Sequence, residues 1–343
     1  MGGANRPLSV ALLRQFVAGV RIRRGVARGS HSGWRTTHQA GFILDPVSAA
    51  TGTPLARSPA PHLPGSSALI HHFTVDVEEY FQVSAFEAHV PRERWDRLES
   101  RVVQNVQDLL ELLADHGARA TFFVLGWIAE RHPGLIREMV SGGHEVASHG
   151  WDHMRITQLR PEQFREEARK TKRVLEDAAG TPVVGFRAPS FSLVPGCEWA
   201  LEILVEEGYR YDSSLFPVRR PGYGYPNGKR DPHWLELRSG RLAEVPPATL
   251  RRWGLNMPAA GGAYFRLFPY RLVHEAFLDY ERRGVPGTFY IHPWELDPEQ
   301  PRLEAPLLTR LRHYGGLRAT RGRLVRLLRE FRFGRIIDTV AAL

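Results

Sequence analysis

From residue 69 onward, short apolar runs alternate with longer segments whose apolar residues recur every three or four positions. The runs at 69–77, 120–125, 144–147, 183–186, 209–211 and 288–292 have the length and the β-branched or aromatic content of buried strands. Between the first two, Val102, Val103, Val106, Leu109, Leu110, Leu112 and Leu113 form one helical stripe, closed by Gly117. Further helices are predicted at 133–140, ended by Gly142-Gly143, and at 161–179, capped by Gly180, with Phe164, Ala168, Thr171 and Leu175 at core spacing. Two more are expected at 199–207 and 270–283, each followed by a glycine.

Strand–helix units joined by short links predict an α/β protein with a parallel sheet, and their number favours a barrel over an open sheet. The interval 217–247 interrupts the alternation with aromatic loops and a hairpin, Leu235-Glu236-Leu237 to Leu242-Ala243-Glu244-Val245, around Ser239-Gly240. The last forty residues carry a basic helix with Leu324, Leu328 and Phe331 at i, i+4 and i+7. That stripe is expected to pack on the barrel as its closing helix, with a membrane surface as the alternative. Residues 1–65 show no sustained period and are expected to be a disordered basic segment. The expected division is therefore 1–65, a barrel over 66–300 with an insertion at 217–268, and a basic helical extension over 301–343.

The net charge of +9 would suggest nucleic acid, but its distribution does not. Residues 1–65 carry eight Arg against Asp45, and residues 302–343 carry ten Arg against Glu304, Glu330 and Asp338, so the body between them is acidic. A phosphate-tracking protein places its basic surface beside its working groups, and nucleic-acid binding is not expected. Lys170, Lys172 and Lys229 are the only lysines, a bias that weakens any meaning in the arginine clusters. Cys197 is the only cysteine, so any bound ion must use His and carboxylate ligands. Leu8 to Val20 is broken by Arg14 and Gln15 and followed by Arg21, Arg23 and Arg24, a poor secretory signal and no membrane span. A cytoplasmic place is expected, with the periplasm or a membrane periphery as alternatives.

Candidate chemistry centres on Ser148-His149-Gly150-Trp151-Asp152-His153, directly after a strand-like run. Two His at i and i+4 fall on one face of a helical turn and can converge on one ion. Upstream, Asp76 and Glu78 share a strand face whose opposite side carries Val75 and Val77. Two acids on an apolar strand are costly unless a cation sits there. A divalent ion held by Glu78, His149 and His153 would meet that need, and two His with one carboxylate is a recurrent ligand set of catalytic zinc. Asp76 would then stand beside the ion as a proton acceptor for an attacking water. His292, at the end of the 288–292 strand, is a further candidate.

These motifs carry a resemblance. Thr74-Val75-Asp76-Val77-Glu78, Ser148-His149-Gly150-Trp151-Asp152-His153, Arg187-Ala188-Pro189-Ser190-Phe191, Tyr211-Asp212-Ser213-Ser214 and Ile291-His292-Pro293 resemble, in order, the five motifs of the polysaccharide deacetylase family, carbohydrate esterase family 4, or NodB homology. Gly261-Gly262-Ala263-Tyr264-Phe265-Arg266 and Tyr290-Ile291-His292-Pro293-Trp294-Glu295 resemble a subgroup with a C-terminal extension of the DUF3473 type, found with exopolysaccharide and exosortase (PEP-CTERM) systems.

The resemblance implies a distorted (β/α)7 barrel that hydrolyses N-acetyl groups of N-acetylhexosamine units in a polysaccharide, with possible peripheral association with exopolysaccharide machinery. By motif, Asp76 matches the general base, His149 and His153 the metal ligands, Arg187 the tether of the base, His292 the general acid, and Asp212 the acid that orients it. A backbone N–H near Ser190 would serve the carbonyl oxygen, and Trp151, Tyr223, Tyr225 and Tyr264 would wall the sugar site. Many family members have two adjacent Asp in the first motif. Here the second acid lies two residues on and is Glu78, with Glu79 as the alternative ligand, and the longer side chain leaves manganese or cobalt open beside zinc. A small-amide hydrolase on the same fold and a silent polysaccharide-binding subunit are the competing functions.

Overall fold

The structure, a computed structural model, describes residues 69–220 and 222–343, and the expected disordered segment 1–65 lies outside the described residues. Strand β1 (Ile70–Val77) leads to α1 (Val102–Asp115), β2 (Thr121–Val124), α2 (Gly126–Arg131), α3 (Pro133–Ser141) and β3 (Glu145–Ser148). Then follow α4 (Pro161–Ala179), β4 (Gly185–Phe186), α5 (Trp199–Glu206) and β5 (Tyr211–Asp212). Two hairpins come next, β6 (His233–Leu237) with β7 (Gly240–Glu244) and β8 (Thr249–Arg252) with β9 (Leu255–Pro258). The chain ends through α6 (Gly262–Leu267), α7 (Tyr270–Arg282), β10 (Thr288–Ile291), α8 (Leu307–Tyr314), α9 (Leu317–Glu330), β11 (Arg332–Gly334) and α10 (Ile336–Val340).

The main sheet runs β10-β1-β2-β3-β4-β5-β7-β6, with β11 beside the start of β1. Every neighbouring pair from β10 to β7 is parallel, and only β6 runs against its neighbour. The sequence placed the β6–β7 hairpin in an insertion, but β7 pairs with β5 and is a strand of the main sheet. Between β7 and β10 the chain closes the sheet through single bridges, Pro247 beside Thr288 and Gly261 beside Tyr290. Pro246 and Pro247 have no N–H to donate, so no ladder can run there and the barrel is distorted at this seam.

Residue alternation along β1 separates two environments. Phe73, Val75 and Val77 pack outward with Val102, Val106, Leu109 and Leu113 of α1 in the larger core cluster. Burying each such side chain stabilises the fold by about 1.5–3 kcal/mol. The inward face carries Phe123, Ala147, Tyr211, Ala243 and Val245, which meet Ile336 and Val340 of α10. The N–H groups of Ile336 and Ile337 bond Thr121 Oγ1 at 2.9 Å and Glu145 Oε2 at 3.1 Å, at the first residues of β2 and β3. One barrel end is thereby plugged, and the polar ends of the strands meet at the other. Leu324, Leu328 and Phe331 are buried, so the stripe of the basic helix faces the barrel and is withdrawn from any membrane. Among the described residues no helix is long and apolar enough to cross a membrane.

A candidate active site at the carboxyl ends of the strands

His149 follows β3 directly, and the chain then bends through Gly150 (φ 76°) to His153 (φ 63°) without forming a helix. The two imidazoles therefore converge from a loop and not from the expected helical turn. His149 Nδ1 lies 2.9 Å from the Arg187 carbonyl, which can only accept, so Nδ1 carries the proton and Nε2 presents a lone pair. Burial depresses the His149 pKa to about 4, which keeps the ring neutral and fit to ligate. His153 Nε2 stands 2.8 Å from Glu78 Oε2, and that buried oxygen has no hydrogen-bond partner. One ligand atom from each of Glu78, His149 and His153 lies within 4.8 Å of the others. A buried carboxylate beside two imidazole nitrogens, with one oxygen lacking a well-aligned hydrogen bond, fits a divalent cation. Burial opposes ionisation of Glu78, but the charges of His153 and His292 outweigh it and hold its pKa at about 2.

Glu79 is committed elsewhere. Its carboxylate accepts the Ser100 hydroxyl at 2.5 Å and the N–H groups of Arg101 and Val102 at 3.1 and 3.3 Å, capping α1. The alternative ligand is thus a helix cap.

Asp76 sits at the inner face of β1 with Oδ1 2.7 Å from Arg187 Nη1, which also bonds Thr74 Oγ1 at 2.7 Å. Arg187 is wholly buried, lies over the Phe123 ring at 4.1 Å, and donates to the Ser213 hydroxyl and carbonyl at 2.8 and 3.2 Å. His292, just past β10, brings Nε2 to 3.5 Å from Glu78 Oε1 and 3.9 Å from Asp76 Oδ2. Burial would lower the His292 pKa, but the charge of Glu78 and the hydrogen bond that the ring donates to Glu295 raise it to about 9.

The expected partner of that imidazole is corrected. His292 Nδ1 is held by Glu295 at 2.7 Å, whereas Asp212 accepts the Ser214 N–H at 3.0 Å and the Ser214 hydroxyl at 2.6 Å and lies opposite Glu244 on β7. The Ser214 hydrogen bonds hold Asp212 to its own turn, and burial raises the pKa of both Asp212 and Glu244. Glu295 was legible only as the end of the Tyr290–Glu295 motif, three residues from His292.

Asp76, Glu78, His149, His153 and His292 line a cavity of about 340 Å³, a size suited to a small-molecule or single-unit polymer site, whereas Arg187, Asp212 and Glu295 stand behind it. Ser190, Tyr223 and Tyr264 line it, and the two tyrosine hydroxyls bond each other. Trp151 and Tyr225 do not line it. Trp151 packs on Gly126, where an added Cβ would come within 2.4 Å of the ring, and carries the Lys170 ammonium over its face at 3.1 Å; the Tyr225 hydroxyl bonds Glu198 at 2.9 Å. Trp294, Arg155 and Arg312 line the cavity without having been expected. Among the described residues, four non-glycine residues have positive φ, and three of them, His153, Ser190 and Phe191, border this cavity. Backbone strain of about 1–3 kcal/mol per such residue is characteristic of functional sites.

Comparison with known proteins places the chain in a family. The family profile described as polysaccharide deacetylase matches residues 95–198, and that of a domain of unknown function, DUF3473, matches 213–341. The second match includes β7 and β10 of the same sheet, as well as His292. A chitooligosaccharide deacetylase of Bradyrhizobium sp. (strain ANU 289) is 38% identical over 194 residues, 49% of this chain and 83% of that relative. The peptidoglycan-N-acetylglucosamine deacetylase PgdA of Listeria monocytogenes is 35% identical over 81 residues, 24% of this chain but only 17% of that enzyme's length. A solved structure of a Mycobacterium smegmatis protein assigned to the polysaccharide deacetylases shares the fold, with a TM-score of 0.56 at 21% identity over 83% of this chain and 94% of that one. Matched to the Bradyrhizobium relative over most of that relative's length, this chain belongs to the polysaccharide deacetylase family.

Proposed function

We propose that the protein is a metal-dependent hydrolase that removes N-acetyl groups from N-acetylhexosamine units of a polysaccharide, an exopolysaccharide or its precursor, releasing acetate and leaving a free amine. The observation that carries this is the meeting of Asp76, the Glu78–His149–His153 cluster and His292 in one cavity, with His292 Nε2 at 3.9 Å from Asp76 and 3.5 Å from Glu78. A binding module has no use for a proton acceptor and a proton donor on either side of a ligand cluster.

A divalent ion, zinc or alternatively manganese or cobalt, would be held by Glu78, His149 and His153 and would supply Lewis acidity toward the amide carbonyl and its attacking water. The chain's own groups manage the protons. Asp76, held in place by the Arg187 guanidinium, accepts the proton of the water whose oxygen bonds to the carbonyl carbon. His292 passes its Nε2 proton to the amide nitrogen as the carbon–nitrogen bond breaks, so acetate leaves and the amine is neutral on departure. Glu295 continues to favour the imidazolium when the charge of Glu78 is spent on a cation. The N–H groups of Phe191 and Ser192 bond the carbonyls of Ala188 and Pro189, which leaves the turn at Ser190 as the place for a donor to the developing oxyanion. Tyr223 and Tyr264 offer ring faces to a sugar unit.

The test is acetate release from N-acetylated glycans with and without chelator. Release that stops with chelator and returns with added ion supports the proposal. Turnover of small cyclic or linear amides with none of glycans would replace it with the small-amide hydrolase, and glycan binding without turnover with the silent subunit. We place the protein in the cytoplasm, with the periplasm or a membrane periphery as the alternatives, which cell fractionation would test.

A further inference from the structure

We propose that Glu295 and Arg266 are positioning residues for His292, and that through them the C-terminal segment sets the direction of the imidazole; this rests on the deacetylase reading above. Glu295 Oε1 receives both the His292 ring, Nδ1 at 2.7 Å, and the His292 backbone N–H at 3.1 Å. One oxygen therefore fixes the ring against its own main chain and turns Nε2 into the cavity. The other oxygen, Oε2, is bonded by Arg266 Nε, and the pair is buried, with Glu295 fully covered and Arg266 3% exposed. Removing either partner would leave the other charge buried and unpaired.

Arg266 is itself held from the far end of the chain. Its Nη1 bonds the carbonyls of His313 and Gly315, the first at 2.8 Å, and Nη2 bonds the Arg312 carbonyl at 3.2 Å, all at the last turn of α8 and its exit toward α9. The same turn supplies the His313 ring, which stacks on Trp294 at 4.2 Å, and Trp294 stacks on His292 at 5.2 Å. Two independent connections, one of hydrogen bonds and one of rings, thus run from that turn to the imidazole. Asp212, matched by motif to this task, has its oxygens on Ser214 and its neighbour in Glu244, so the task falls to the carboxylate three residues after the acid. The region matched by the domain of unknown function thereby acquires a role: it contributes the imidazole and the apparatus that aims it.

The full-length protein is studied by ¹⁵N NMR of the histidine side chains, together with steady-state acetate release and metal analysis of the Glu295→Gln, Glu295→Asp, Arg266→Lys and Asp212→Asn variants. In the wild type His292 should show a protonated, hydrogen-bonded Nδ1. Glu295→Gln should change that signature and lower kcat roughly 10–100-fold, with KM and metal content within about twofold of wild type, the range of lost outer-shell support. Glu295→Asp and Arg266→Lys, which keep a charged pair behind His292, should each lose less than Glu295→Gln, and Asp212→Asn should leave the His292 signature as it is. A wild-type His292 without a protonated, bonded Nδ1 overturns the proposal whether or not any variant folds. So does Glu295→Gln with kcat and signature unchanged, or Asp212→Asn shifting the signature in its place. Absence of acetate release from the wild type would instead sink the deacetylase reading, while the His292 spectrum would still decide this one.

Discussion

Arg187 Nη1 lies 2.7 Å from Asp76 Oδ1, and both side chains are buried, Asp76 in the cavity floor and Arg187 beneath it. The guanidinium reaches four groups at once, Asp76, Thr74 and two atoms of Ser213, across strands β1, β4 and β5. It joins three strand ends and holds the proposed base.

Arg187→Ala should therefore cost about 3–5 kcal/mol of stability, because it strands a buried carboxylate. Adding Asp76→Asn to it should restore part of that loss, a coupling read from urea unfolding of the four-variant cycle. Strictly additive losses would mean the pair has no energetic connection.

Asp76→Asn alone should lower acetate release by about 10²–10⁴-fold while metal content stays near that of the wild type, since Asp76 is outside the ligand cluster. His149→Ala should do the opposite with respect to the ion: metal analysis after dialysis should show it lost. Unchanged metal in His149→Ala would remove the assigned site.

The Glu244–Asp212 pair predicts a pH dependence of stability. Burial, then the charge of Asp212, raises the Glu244 pKa well above the ordinary glutamate value. A carboxyl raised in the folded state keeps its proton there after the unfolded chain has lost it. Stability is thus fully present below the unfolded pKa and is lost as pH rises toward the folded one, by up to about 1.4 kcal/mol per unit. Glu244→Gln, which keeps a donor and an acceptor, should flatten the fall of Tm with rising pH; parallel profiles for variant and wild type would show that the pair holds no such proton.

Gly261→Ala should weaken the seam of the barrel. With φ of 153°, an added Cβ would lie 1.6 Å from the Tyr290 carbonyl oxygen, at the bridge that joins this segment to β10. Backbone strain of about 1–3 kcal/mol adds to that clash. Gly254→Ala, at φ 75° with no atom within 4 Å, should cost only about 1–2 kcal/mol. Equal midpoints in thermal unfolding would contradict the difference.

Hydrophobic spacing alone was enough to place β1, α1, α4 and β10 to within a residue or two, because each has one face that must be buried and a period that says which. The meeting of His149 and His153 with an acid at the end of β1 was equally legible, since residue types and strand ends survive translation into one dimension. Several things were not legible. Whether Glu78 or Glu79 faces the cavity depends on where β1 stops and on α1 beginning within reach of Glu79. The partner of His292 depended on Ser214 holding Asp212 to its own turn while Glu295 reaches the ring. Trp151 and Tyr225 look like sugar-stacking residues in the chain but are spent on Gly126, Lys170 and Glu198 in the fold. Local pattern determines which side chains must leave water; only the closed barrel decides which polar groups then meet, because those contacts link residues more than 200 positions apart, as in His72 with Thr288 and Trp294 with Glu78.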